Sequence, residues 1–319
     1  MIKQFAKAAL ASAPGWSIAS LLRRRRDVAV LMYHRIVANG GPFEGTERGT
    51  FREQMRWIRA NCRPIRPEEL SHPSGPNRTR PEVLVTFDDG YRDYHDNAYP
   101  ILEEFRIPSV LFLATSFIDC PGLIWTDAVG WAVNNSKRKQ IELPWDDAVM
   151  SIADLPARRR CISACKQFLK QVPDADRLRW QDELFARLEA VPDASVIERQ
   201  MLTWDEVRAT HGLTSIGGHT HTHPILSQVS RERADEEIRL CTERIYAETG
   251  TAPRYFAYPN GRAQDFTQQT RELLLARGYE LGFSTIEGLH ARGSDLLAIR
   301  RQPTGARTLG DFAMLVAGR

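Results

Sequence analysis

Three of the eight histidines in this 319-residue chain fall within five positions, His219, His221 and His223, in the stretch GGHTHTHPIL at 217–226. Neutral imidazole is the commonest protein ligand for zinc and its first-row neighbours, so this spacing points to a divalent metal rather than to a polar surface loop. Imidazoles alone do not make a catalytic centre, which also needs a third ligand, an open coordination position and a group that moves protons. The stretch VLVTFDDGYRD offers the missing groups, because Asp88 and Asp89 follow an apolar run and precede Gly90. Taken by itself, Asp-Asp-Gly is a turn. Adjacent carboxylates repel unless a cation or a shared proton relieves them, and the end of a strand is where α/β barrels and sheets keep their active sites. An extended histidine segment would place all three imidazoles on one side, whereas a turn would bring His219 and His223 together and send His221 elsewhere. Pro224 biases His223 away from the α region, and the spacing leaves both arrangements open.

These groups must be held by elements, and the elements are legible. Seven apolar or β-branched runs recur, at 27–34, 82–89, 108–115, 214–220, 255–259, 281–285 and 296–301. Several are apolar throughout, as strands covered on both faces of a parallel sheet are, which predicts an α/β barrel or a wound sheet. Helical patterns lie between them. One starts at Ser230 as N-cap, carries Ala234, Ile238, Cys241 and Ile245 on one stripe and stops at Gly250, and another ends at Gly278. Residues 120–200 carry helical patterns rich in Arg, Lys, Gln and Glu with no strand signal, and read as an insertion over one edge of a domain spanning 27–319. Residues 1–26 read as a basic N-terminal helix.

Composition narrows the class. A net charge of +3 is too small to imply nucleic acid, and RRRR at 23–26 and ARRRC at 157–161 read as solvated helix faces. The cysteines Cys62, Cys120, Cys161, Cys165 and Cys241 form an odd, irregular set without CxxC, which argues against a disulfide framework and for a reducing compartment. Lys7 and Pro14 divide the apolar part of the N-terminus, so it lacks the h-region of a secretory signal. The expected location is therefore cytoplasmic, with periplasmic as the alternative. The basic and apolar residues of 1–26 are compatible with peripheral association with a membrane.

With TFDDG at 86–90, HTHTHPIL at 219–226 and RYFAYPNG at 254–261, the chain resembles the polysaccharide deacetylase family, the NodB-homology or carbohydrate esterase 4 enzymes. The three motifs stand in the family's order at the ends of predicted strands, and the similarity extends over about 28–302. The resemblance implies a deformed (β/α)7 barrel with the helical insertion, and a metal-dependent hydrolase of an N-acetylated glycan, one that removes N-acetyl groups from N-acetylhexosamine units of a bacterial polysaccharide or its precursor, polymeric, short or lipid-linked. It implies Asp89, His219 and His223 as metal ligands, with zinc expected and nickel, cobalt or ferrous iron as alternatives, and Asp88 as general base. It implies that Arg254 orients the catalytic Asp, that Tyr258, Pro259 and Asn260 line the groove, and that the Asn260 N–H is an oxyanion donor. His221 falls at a variable position of the motif.

The chain departs from the family pattern in two places. GFSTIEG at 282–288 does not match the fourth motif with its Asp and Trp, and the late Leu-His motif that supplies the general acid is missing after residue 261. His290, in a polar loop, is a poor substitute. VLMYHRI at 30–36 instead is similar to the N-terminal strand of the poly-N-acetylglucosamine deacetylase branch, in which motif order is permuted and this histidine, here His34, is the acid. Three other readings compete: hydrolysis of another N-acyl or non-peptide C–N bond, a carbohydrate-binding protein that has lost catalysis, and a metal-storage module. Intact Asp88, Asp89, His219 and His223 argue against loss of catalysis, and an adjacent base and acid are superfluous for storage.

Overall fold

The computed structural model describes residues 27–38, 43–72, 80–120, 122–198, 200–305 and 308–318. The expected basic helix at 1–26 lies outside them. Each of the seven apolar runs forms a strand: β1 (Asp27–Tyr33), β2 (Glu82–Phe87), β3 (Ser109–Leu113), β4 (Thr214–Gly218), β5 (Tyr255–Ala257), β6 (Leu281–Glu287) and β7 (Ile299–Pro303). All neighbours are parallel, in the order β1-β7-β6-β5-β4-β3-β2, and β2 returns to β1 from Val28↔Glu82 to Tyr33↔Phe87. The sheet is thus a closed seven-stranded barrel. Its deformation is local: β5 meets β4 through the single pair Phe256↔Gly218, and the register of β6 shifts between Phe283 and Glu287.

Alternation along the strands explains the unbroken apolar runs. Val28, Val30, Leu84, Val110, Phe112, Leu281, Phe283 and Ile299 fill one cluster inside the barrel, while Ala29, Leu31, Tyr33, Val83, Val85, Phe87, Leu111 and Leu113 pack outward against helices. Where both faces are covered the run is apolar on both, and the polar side chains buried in the strands, such as Thr86 and Arg301, are hydrogen-bonded. The outer layer includes α1 (Arg48–Asn61) and α2 (Tyr99–Phe105). Within residues 120–200 lie α3 (Trp125–Asn135), α4 (Leu155–Leu169) and α5 (Asp174–Leu188), with a separate apolar cluster around Val129, Cys161, Leu169 and Leu184. This segment also contains an antiparallel hairpin, Gln140–Glu142 with Val149–Ser151, that the sequence did not signal. Each arm is three residues long with one or no buried side chain, too short for a period to show.

After β4, the chain re-enters the outer layer as α6 (Arg231–Thr249), capped by the Ser230 side chain on the Arg233 N–H and closed by left-handed Gly250. Gly217 and Gly218 are required where β4 crosses the interior. A Cβ on the first would stand 2.5 Å from the Phe112 ring, and one on the second 2.6 Å from the Tyr279 hydroxyl.

Candidate metal centre and active site

The loop after β2 turns through two left-handed residues, Asp89 at φ 80° and Gly90 at φ 89°. This turn sends the two carboxylates in different directions. Asp89 Oδ1 lies 3.3 Å from His219 Nε2 and 3.2 Å from His223 Nε2, and the two imidazole nitrogens are 3.2 Å apart. Three donors about 2.0–2.2 Å from a tetrahedral zinc would be separated by about 3.3–3.6 Å, so the triangle fits a first-row metal at the short end of that range. The donor set agrees: one carboxylate oxygen and two imidazoles, all buried. The Nδ1–H of His219 donates to the Ala257 carbonyl at 2.7 Å, which fixes the tautomer that leaves Nε2 free to ligate. His221 is turned away, with its Nδ1 2.9 Å from Thr115 Oγ1. The histidine segment is therefore a turn, and the first and third imidazoles are the pair that converges.

Two side chains hold this turn. The Thr220 hydroxyl accepts the His223 N–H at 3.0 Å, and Glu237 of α6, wholly buried, accepts the N–H groups of His221 and Thr222, both at 2.7 Å. Among the described residues eight non-glycines have positive φ, and four of them, Asp89, Thr220, His223 and Asn260, stand on this rim. Such conformations cost about 1–3 kcal/mol each and persist where the surroundings over-determine them.

Asp88 has a different partner. Arg301 of β7 donates from Nη1 and Nη2 to the two carboxylate oxygens at 2.7 and 2.8 Å, and its Nε donates to the Ser284 carbonyl. Burial alone would raise the Asp88 pKa, but Arg301, with His219 and His34, outweighs it and holds the carboxyl below its usual range. Burial likewise works against an ionised Asp89, and the imidazoles of His219 and His223 beside it outweigh burial and hold its carboxyl well below the usual range. Asp88 is thus a charged base at neutral pH, made weaker by its cation. His34, at the end of β1, is half exposed, and its Nε2 is 3.9 Å from Asp88 Oδ2. The next residue, Arg35, is buried between the rings of Phe43 and Tyr91 and donates to Asp127 of α3 and to Asp93. It fastens the end of β1 to the inserted helices.

The residues from the third motif do not all reach the site. Arg254 does not orient Asp88. It precedes β5, whose three residues separate it by about 10 Å of strand from the end where the carboxylates lie. It is half exposed and pairs with Glu280. Tyr258 does not line a groove with its ring, which is buried flat against Phe266 at 4.0 Å while its hydroxyl donates to the Leu297 carbonyl. Pro259 is buried in the turn, its carbonyl accepting from the Gly261 N–H. Asn260 is partly exposed at φ 62°, its side chain donating to Asp265 and its carbonyl accepting from Thr285. Its own N–H has no protein acceptor among the described residues.

Arg301 is the main residue that sequence reasoning missed. In LLAIRRQ it looks like a surface arginine, yet Ile299 faces inward and strand alternation puts the residue two further on above it, inside the barrel. Glu237 was hidden in the same way, inside a charge-rich helix.

Comparison with known proteins places this arrangement. The family model described as polysaccharide deacetylase matches residues 75–149 and 189–282, more than half of the chain. The poly-beta-1,6-N-acetyl-D-glucosamine N-deacetylase of Escherichia coli K12 is 32% identical over 82 residues, which are 25% of this chain and 12% of that protein. The match thus spans about an eighth of that relative. The Streptococcus pyogenes deacetylase PplD, solved with acetate, superposes with a TM-score of 0.60 at 17% identity over 93% of this chain and 100% of its own. IcaB from Ammonifex degensii does so with 0.59 at 20% identity over 92% and 97%. At such identity these likenesses concern the fold. The matched segments bring both aspartates, His219, His223 and Asn260 to one mouth of the barrel, and the chain belongs to the polysaccharide deacetylase family.

Proposed function

We propose that this protein is a metal-dependent N-deacetylase acting on N-acetylhexosamine units of a bacterial glycan, and that Asp89, His219 and His223 hold the metal. The observation that carries the reading is the division of labour between neighbours: Asp89 joins the two imidazoles, while Asp88 is held apart, ionised, by Arg301. A bound divalent cation would lower the pKa of water and polarise the acetyl carbonyl. Asp88, beside the triad, takes the proton of the attacking water on its carboxylate. His34, with Nε2 near that carboxylate and its other face open to solvent, delivers a proton to the departing amine nitrogen. The Asn260 N–H, free of protein acceptors, donates to the developing oxyanion. Zinc is the metal proposed first.

The test is acetate release from N-acetylglucosamine oligomers, including the β-1,6-linked polymer, with metal-depleted and zinc-reloaded protein. Release that is absent in the reloaded protein from neutral and charged N-acetylhexosamine substrates alike overturns the reading. We place the reaction on the cytoplasmic side, on the strength of the irregular cysteine set. Fractionation of cells making the native chain tests this, and recovery from the periplasm overturns it.

A further inference from the structure

A cavity of about 580 Å³ has Asn260, one of the residues on the rim of the candidate site, in its lining. One wall is the polar C-terminal end of α4, with Ser163, Lys166 and Gln167 on the helix and Lys170 and Gln171 at its cap and just beyond. The other walls are Gln228, just past the histidine turn, and the loop after β5 with Asn260, Arg262 and Asp265. The two loops that present His223 and Asn260 to the reaction therefore also line this cavity.

Its charge is unbalanced. The side chains of Lys166, Lys170 and Arg262 form no ion pair within 4 Å and no hydrogen bond among the described residues, and Lys166 feels carboxylates from outside the lining, those of Asp127 and Glu44. The single carboxylate in the lining, that of Asp265, is buried and already accepts the Asn260 side chain and the Arg262 N–H. Lys166 and Lys170 are half buried rather than spread into solvent. Burial, then Arg262 and Lys166, push the Lys170 ammonium down to about 8, so an anion in the cavity would relieve a repulsion that the fold has built in. Four glutamines, at 167, 171, 228 and 264, add neutral donors around the cations.

We propose that this cavity binds a phosphoryl group carried by the glycan substrate next to the N-acetylhexosamine that is deacetylated. Three separate cations, two at the end of α4 and one on the facing loop, suit a multiply charged tetrahedral oxyanion. A planar carboxylate would be met by one arginine fork, and here the cationic groups are two point-charge ammoniums and one guanidinium. The assignment rests on the deacetylase reading and names its substrate class: a sugar phosphate or a sugar joined through diphosphate to a lipid.

The test compares acetate release from neutral N-acetylglucosamine oligomers, from N-acetylglucosamine 1-phosphate, from its diphosphate ester with a short prenyl alcohol, and from a glucuronate-linked N-acetylglucosamine. Charge-assisted contacts predict that kcat/KM for a phosphorylated substrate exceeds that for the neutral oligomer by about 10–100-fold. Lys170→Gln should shrink this ratio at least fivefold through KM. Arg160→Gln, an equal loss of charge on an exposed position of α4 outside the cavity, should keep it. Preference for the prenyl ester assigns a lipid-linked source and preference for the 1-phosphate a soluble one. A ratio near one, a ratio untouched by Lys170→Gln, or an equal gain from glucuronate overturns the proposal. If no substrate releases acetate, the deacetylase reading fails, and calorimetric titration with inorganic pyrophosphate decides the cavity alone: binding that Lys170→Gln abolishes supports it, and no binding to the unsubstituted protein overturns it.

Discussion

Arg301 and Asp88, 213 positions apart in sequence, form a two-point ion pair inside the closed barrel, with contacts of 2.7 and 2.8 Å and almost no exposure of either side chain. The pair ties the proposed base to the last strand of the ring and keeps it charged where burial would protonate it. Replacing Arg301 leaves a buried carboxylate without its cation. Arg301→Gln is therefore expected to destabilise the fold by about 3–5 kcal/mol, and Arg254→Ala, which removes a half-exposed surface pair, by at most about 1 kcal/mol. Urea unfolding of both variants checks the contrast, and equal losses would contradict it.

The separation of the two aspartates gives a prediction for metal content. Asp88→Asn should retain bound zinc while losing about 10²–10⁴ in rate, and Asp89→Ala should lose the zinc itself. Metal analysis after dialysis reads the difference. Chelation of the unsubstituted protein should lower its thermal stability, and zinc at a hundred times its dissociation constant should restore about 2.7 kcal/mol.

His34 stands near the base but outside the metal triangle. His34→Ala is expected to depress turnover of an N-acetyl substrate far more than that of an activated acetyl ester, whose leaving group needs little protonation. A small, uniform effect on both would remove His34 from the reaction.

Glu237 reaches the histidine turn from α6 and accepts the amides of His221 and Thr222. It touches no ligand side chain. Glu237→Gln should nonetheless weaken zinc binding by about 10–100-fold, because the turn that aims His223 loses its charged acceptor. Competition with a chromophoric chelator measures this, and circular dichroism should show the barrel intact.

His290, remote from the site, makes stability depend on pH. It is buried beside β1, its Nδ1 meeting Ser294 Oγ at 3.4 Å. Burial, then Arg292 and Arg300 against the opposing pull of Asp295, press its pKa down to about 4. The folded state therefore binds fewer protons than the unfolded state between about 4 and 6.5, and stability falls as pH drops through that window. Replacing His290 with Gln should flatten the unfolding free energy between pH 4 and 6.5 by about 1–3 kcal/mol. A slope unchanged in the variant would assign the dependence to other groups.

All seven barrel strands overlap apolar or β-branched runs, and the signal is cleanest in β1, β2 and β3, which are covered on both faces. The convergence of Asp89, His219 and His223 could be read because a donor set restricts residue type and a turn restricts spacing. Arg301 could not be read from charge alone: its inward direction follows from the phase of β7, and an arginine becomes tolerable inside only once Asp88 arrives from another strand. Arg254 misled for the complementary reason, since it shares a motif with Asn260 but sits at the other end of β5. The hairpin at 140–151 left no trace because its arms are too short and exposed for an alternation to show.

The closure of the ring at β1 bears on how the protein acquires competence. Asp89, His219 and His223 come from β2 and the turn after β4, separated in the ring only by β3. His34, Asp88 and Arg301 come from β1, β2 and β7, and the seam that unites them pairs Leu31 with Gln302, nearly the full described length of chain apart. Pairings of such separation bear the largest loop entropy and form late during folding. One arc of the barrel can thus grip a cation before the two ends of the chain have met, and the equipment to use that cation is assembled only by the final seam.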